Sequence, residues 1–240
     1  GAQAVADILC GAINPSGRLV DTYAVDSFSS PAMQNSGNFA FTNIDEVKAA
    51  IPDAPWIGNY VIYQEGIYVG YRYYETRYAD SVTDPSGTHA TSAVGSTTGG
   101  PWNYTDEVDF SFGYGLSYGS EDGTPFTQTI TGFTVGDDTV DVTVHVRNDG
   151  DTAGKSVVQI YVSAPYTPGG TEKSAVVLAG FAKTGILAPG GEEDVTISVD
   201  KYDFASYDYV EEKTYVLDAG EYYFAIGNGA HDALNNILAA

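Results

Sequence analysis

The chain has one cysteine, one methionine and two tryptophans in 240 residues. The single Cys10 has no partner for a disulfide within the chain, and a Cys-based metal site is excluded. It sits in an apolar run and is expected to be a small buried hydrophobe. Basic residues are scarce too. Ten Lys+Arg face 32 Asp+Glu, a formal net charge of −22. A field of that sign repels nucleic acid and anionic membrane surfaces, so neither is expected as a partner. No apolar run approaches the roughly 20 residues that span a bilayer. No signal peptide is visible. A soluble protein is expected, and its compartment, bacterial cytoplasm or outside the cell, stays open. The three histidines, His89, His145 and His231, are too scattered for a metal site. A phosphate loop, a dinucleotide fingerprint and a nucleophile elbow are all missing, so no cofactor is expected. Asp149-Gly150-Asp151 lacks the spaced ligands of a calcium loop and reads as a hairpin turn.

Aromatics are plentiful. Phe, Trp and Tyr make up 13% of the chain, and tyrosine alone occurs 19 times. Acidic disordered chains lack such residues, so this chain is folded. The tyrosines concentrate in Gln64-Glu65-Gly66-Ile67-Tyr68-Val69-Gly70-Tyr71-Arg72-Tyr73-Tyr74-Glu75. A second aromatic phrase follows at Phe110-Ser111-Phe112-Gly113-Tyr114-Gly115-Leu116-Ser117-Tyr118.

Around these phrases the periodicity changes along the chain. Ala4, Val5, Ile8 and Leu9 fall on one helical face, with Gly11 placed as a C-terminal cap. Asn14-Pro15-Ser16-Gly17 is a tight turn, and Arg18 to Val25 reads as a strand. A short helix is expected over Ile44 to Ala50, ending before Pro52. Tyr60 to Tyr74 reads as extended, and Tyr78 to Trp102, poor in large apolar residues, as a long loop. From Phe126 onward the period is two. Val140, Val142, Val144 and Val146 alternate with polar residues. So do Val158, Ile160 and Val162, and then Val195, Ile197 and Val199; Tyr222, Phe224 and Ile226 close the series. Each run is expected to bury one face and solvate the other. About seven short strands with turn signals between them predict an immunoglobulin-like sandwich. No Cys…Trp…Cys core is present, which points to the fibronectin type III variety. The fold class expected is mainly β: this sandwich, preceded by a truncated α/β-domain remnant and a long junction segment. The divisions fall at 1–58, 59–124, 125–228 and 229–240, the last starting a helix that leaves the sandwich.

The two aromatic phrases, the Ala6-Asp7-Ile8-Leu9 helix end with Asn14-Pro15-Ser16-Gly17-Arg18-Leu19, and the strands around Val146-Arg147-Asn148-Asp149-Gly150 and Val157 to Val162 resemble glycoside hydrolase family 3. The resemblance covers nearly the whole chain and is weakest near residues 80–100. It implies the C-terminal portion of a β-glucosidase-like enzyme, comprising the end of its α/β sandwich domain and a fibronectin type III-like domain. The tail and the Tyr-Val-Ile-Tyr-Gln-Glu-Gly phrase resemble the subset whose domain order is inverted. Family 3 enzymes retain configuration with a nucleophile on a (β/α)8 barrel and an acid/base in the α/β domain. The resemblance places both outside this chain. The implied partners are that barrel, the rest of the α/β domain and a β-glycoside.

Within the chain, Glu65 and Glu75 flank the tyrosine phrase and are the local carboxylates to consider for catalysis. The alternative is that they only accept hydrogen bonds from backbone or Arg72. Tyr68, Tyr71, Tyr73 and Tyr74 are candidates to line a sugar subsite or, alternatively, to pack between domains. Arg72 is a candidate substrate contact or a buried ion-pair or carbonyl donor. A different class of function, a non-catalytic carbohydrate-binding or adhesion module, would need a row of exposed aromatics on a sheet face. The outward residues there are mainly Thr, Ser, Asp and Gln, with Tyr161 and Tyr223 as exceptions.

Overall fold

A computed structural model describes residues 1–54, 56–84 and 90–240. His89, within the loop expected over Tyr78 to Trp102, lies outside these. In chain order the elements are α1 (Ala2–Leu9), β1 (Tyr23–Ala24), α2 (Pro31–Gln34), β2 (Phe39–Ala40), α3 (Ile44–Ala50), β3 (Asn59–Tyr60), α4 (Tyr71–Thr83), α5 (Tyr104–Glu107) and β4 (Val108–Phe110). The sandwich follows: β5 (Phe126–Val135), β6 (Thr139–Asn148), β7 (Val157–Ser163), β8 (Val177–Lys183), β9 (Glu192–Asp200), β10 (Ser206–Asp208), β11 (Thr214–Val216) and β12 (Tyr223–Ile226). Helix α6 (Ala230–Leu238) closes the chain.

Two antiparallel sheets, ordered β5-β6-β9 and β12-β7-β8, face each other. The alternation in β6 sends Val140, Val142, Val144 and Val146 inward, where they meet Val158, Ile160 and Val162 of β7 and Val195, Ile197 and Val199 of β9. Full burial of each such side chain is worth about 1.5–3 kcal/mol relative to exposure. The sequence-based expectation holds for β6 and β9, which bury one face.

It fails for β7. All of Val157 to Val162 is buried, so this strand has no solvated face. Tyr161, expected to point outward, is fully buried. It joins Val176, Ala225, Ala230, Ala233 and Leu234 in a second core. The reason is α6. The tail does not leave the sandwich; it folds back onto β7 and β12 and covers their outer face.

The tyrosine phrase is the second departure. It is not extended throughout: α4 begins at Tyr71, after Gly70 with φ +57°, and runs to Thr83. The expected long loop therefore begins inside a helix. Tyrosine favours strands on intrinsic propensity, but packing overrides it here. Tyr71, Tyr74, Tyr78 and Ala79 follow a 3.6-residue period, and each finds a neighbour in one of the two smaller cores. Helix α4 also serves the outer edge of the β12-β7-β8 sheet. Leu178 N donates to Tyr71 Oη at 3.0 Å and Ala175 N to Thr76 Oγ1 at 2.9 Å. An edge left open would be a pairing liability.

The N-terminal part matches expectation in α1 and α3 but buries less. Helix α1 has no buried residue, and Val5, Leu9 and Cys10 are exposed. Cys10 is thus not a core residue, because nothing among the described residues covers this helix face. The strand expected over Arg18 to Val25 shrinks to Tyr23–Ala24, which pairs with Val108 and Phe110 of β4. What fixes the rest is a lattice between the Asn14–Leu19 turn and the second aromatic phrase. Leu19 N donates to Tyr114 O and Gly113 N to Leu19 O, both at 2.9 Å. Tyr118 N donates to Asn14 Oδ1 at 2.7 Å and Ser117 Oγ to Pro15 O at 2.7 Å. Gly113, at φ +81°, leaves no room for a side chain: a Cβ would lie 2.3 Å from Gln159 Oε1. The Asn14–Leu19 turn and the second aromatic phrase, far apart in sequence, are one structural unit.

Candidate functional site

Behind the two phrases lies a buried polar junction. Glu75, on α4, is fully buried. Tyr104 Oη donates to Glu75 Oε1 at 2.6 Å, and His231 Nδ1 lies 2.9 Å from Glu75 Oε2. The Tyr104 and His231 rings stack at 3.8 Å with planes 12° apart. Tyr78 packs 4.5 Å from His231 and donates from its hydroxyl to Asn235 Oδ1 at 2.7 Å. Burial, then the Glu75 charge, pushes the Tyr104 phenol far up, so it stays a donor. A buried carboxylate is tolerated only with partners of this kind. Among the described residues Glu75 accepts from neither backbone nor Arg72. Its partners come from the helical turn at Tyr104 and from α6, joining the connecting segment to the sandwich.

The remaining sequence candidates scatter. Tyr71 stacks on Phe112 at 4.3 Å and belongs to the core under α6. Tyr74 is buried, with its Oη 2.7 Å from Ser29 Oγ. The Arg72 side chain makes no hydrogen bond or ion pair among the described residues. The carbonyl donor is the half-buried Arg77 instead. It donates to Ala90 O, Val94 O and Ser92 O at 2.7–2.9 Å and to Tyr73 Oη at 2.7 Å, and lies over the Trp102 ring at 4.7 Å. Glu65 lines a separate cavity of about 470 Å³ with Asp21, Tyr23 and Val69. Glu65 and Glu75 are thus not a pair.

Tyr68 and Tyr73 do meet, in an open cleft of about 620 Å³ that also includes Arg77, Asp80, Tyr166 and Glu172. Tyr68 donates to Glu172 in a short hydrogen bond. Burial, with that carboxylate beside it, pushes the Tyr68 phenol well up. Burial, followed by the charges of Asp84 and Glu172, holds the Asp80 carboxyl above its ordinary range. Tyrosine rings flank two carboxylates that can accept sugar hydroxyls. Asp80, Tyr166 and Glu172 escaped the sequence reading. They lie on two separate segments, Asp80 on α4 and Tyr166 and Glu172 on the β7–β8 connection, and no local motif marks them.

The sandwich and the junction define a fibronectin type III-like domain fused to a connecting segment. Residues 156–230 match the family of fibronectin type III-like domains. Over 97% of its length the chain is 36% identical to β-glucosidase A of Butyrivibrio fibrisolvens and 35% identical to a β-glucosidase of Ruminococcus albus. The solved β-glucosidase of Paenibacillus barengoltzii superposes on 95% of the chain with a TM-score of 0.69 at 33% identity. That of Kluyveromyces marxianus, in complex with glucose, covers 96% with a TM-score of 0.69 at 30% identity. The chain spans 24% and 19% of the two bacterial relatives' length, and 20% and 22% of these two solved chains. A solved GH3 β-glucosidase of Bifidobacterium adolescentis likewise covers 98% of the chain with a TM-score of 0.66 at 27% identity, so the chain is similar to one portion of such β-glucosidases.

Two outcomes test the junction and the cleft. His231→Ala leaves the buried Glu75 carboxylate with Tyr104 alone. It is expected to lower stability by about 1–3 kcal/mol in urea unfolding. In a double-mutant cycle with Glu75→Gln, most of that loss should disappear. Asp80 has a raised carboxyl pKa in the folded state, so its charge opposes folding at neutral pH. Asp80→Asn is expected to stabilise the chain at pH 7. The gain should fade as pH drops through the raised value and vanish below the ordinary 3.8, seen as converging unfolding midpoints.

Proposed function

We propose that this chain is the bracing portion of a retaining β-glucosidase, and that the nucleophile and the acid/base are supplied by other domains of the parent protein. The observation that carries the reading is the similarity to β-glucosidases over 97% of the chain, while the chain spans about a fifth to a quarter of their length. Retaining hydrolysis needs two carboxylates about 5–5.5 Å apart. In the proposed parent one stands on a (β/α)8 barrel and the other on the α/β domain. Two carboxylates on separate bodies need a stiff frame, because a misplacement of about 1 Å can lower rate about 100-fold.

The chain's own residues suit that task. The junction at Glu75, Tyr104 and His231 ties the connecting segment to the sandwich without a loose hinge. The exposed apolar residues Val5, Leu9, Val20, Trp56, Val61 and Tyr63 lie on the N-terminal part, the side where the α/β domain would continue. The cleft with Tyr68, Tyr73, Asp80 and Glu172 faces outward and is the place where this portion would touch a glycoside.

Turnover of a chromogenic β-glucoside tests the reading. The 240-residue chain is expected to be silent and the parent active. His231→Ala in the parent should lower kcat by up to about 100-fold. Turnover by the chain alone would contradict the proposal, and Asp80 and Glu172 would be the first carboxylates to replace.

A further inference from the structure

The outer faces of the sheets carry no aromatic row, but the hairpin β10–β11 carries an aromatic cluster. Tyr207 and Tyr215 are register partners across the two strands, so their side chains share one face. Their ring centroids are 5.2 Å apart. Tyr202, from the helical turn Lys201–Phe204, approaches Tyr215 at 4.4 Å. Their exposures are 58% for Tyr202, 50% for Tyr207 and 46% for Tyr215, and Tyr209 at the hairpin tip reaches 74%.

The array is held rigidly. Phe204 is buried in the sandwich core against Tyr222 and Phe224. Lys201 Nζ donates to Gly136 O and Asp137 O at 2.8 Å, fastening the turn to the β5–β6 connection. Tyr207 Oη donates to Lys213 O at 3.1 Å. At the tip the Asp208 carboxylate accepts from Val210 N, Glu211 N and Glu212 N at 2.8–3.3 Å. Lys213 stands at φ +53°, the left-handed region that non-glycine residues avoid. Backbone strain of that kind persists only where the surroundings over-determine it, and it clusters at functional sites.

We propose that this hairpin is a binding platform for a neutral β-glucan chain. Exposed tyrosine rings offer flat faces to the apolar C–H faces of sugar rings, and their hydroxyls reach the sugar edge. The flanking Asp203, Glu211 and Glu212 carboxylates accept hydrogen bonds from sugar hydroxyls. Those carboxylates, with Asp208, outnumber Lys201 and Lys213 on the same element, and within a chain of net charge −22 they disfavour polyanionic glycans and nucleic acid. An apolar protein partner would bury those carboxylates without donors, which is unfavourable. Several rings side by side fit a chain of sugars better than a single monosaccharide. The platform shares no residue with the cleft at Tyr68, and it concerns holding a polymer rather than turning it over, so it stands or falls apart from the bracing reading.

Affinity electrophoresis of the 240-residue chain, in native gels cast with graded amounts of soluble mixed-linkage β-glucan, tests this. The chain is expected to be retarded in proportion to polymer, relative to serum albumin. Replacing both Tyr202 and Tyr215 by Ala should weaken binding about tenfold or more. Tyr207→Ala alone should weaken it several-fold. Tyr63→Ala, at an exposed tyrosine on the N-terminal part, should leave it unchanged. Absence of retardation would overturn the proposal. So would equal retardation of the native chain and the doubly substituted one, or weakening by Tyr63→Ala as great as theirs.

Discussion

A fully buried carboxylate constrains everything around it. Glu75 has no exposed surface, and the groups that satisfy it come from two remote segments, Tyr104 and His231. Helix α4 can bury that face only if α6 returns across β7 to deliver the imidazole. Once α6 is there, the outer face of β7 has no solvent to meet, and Tyr161 and Gln159 become interior residues. Gln159 then donates to Gly113 O at 3.0 Å, which binds the second aromatic phrase to the sandwich. The Asn14–Leu19 turn is bound to that phrase in turn. The buried Glu75 side chain thus sits where the connecting segment, the helices and the sandwich meet.

Function follows from that arrangement in two directions. Inward, Glu75, Tyr104 and His231 link the connecting segment to the sandwich, as the proposed brace between two catalytic bodies would require. Outward, the same framework leaves two aromatic surfaces exposed. One is the cleft beside α4, where Tyr68 and Tyr73 meet two carboxylates on either side of a small open volume. The other is the β10–β11 hairpin, whose backbone is pinned by Asp208. Both combine ring faces with acidic edges.

The sandwich was legible because its signal is local. Valines at alternate positions of β6 and β9 announce strands with one buried face, and the turns between them are written in Asn, Asp, Gly and Pro. Helix α3 and helix α1 were equally plain. The helix at Tyr71 was not, because tyrosine reads as a strand former. Its 3.6-residue spacing, Tyr71, Tyr74 and Glu75, Tyr78 and Ala79, Val82, becomes visible only when tyrosine is counted as apolar. Strand β7 misled for a different reason. Its Gln159 and Tyr161 alternate with apolar residues as a solvated face would, and only the return of α6 buries them. The junction itself had no local trace. Glu75 was singled out for its position beside the tyrosines, but His231 is 156 residues away and Tyr104 is 29 away. Such pairings are set by topology, and so are the partners of Asp80 in the cleft.

Native-state hydrogen exchange, followed peptide by peptide in rising denaturant, tests the central claim most directly. If the Glu75 junction makes one body of the connecting segment and the sandwich, α4, α6 and β7 will exchange through the same global opening, at one free energy. Early, sub-global exchange of α4 and α6 while β6 and β7 stay protected would show two bodies that merely touch, and the brace would lose its physical basis.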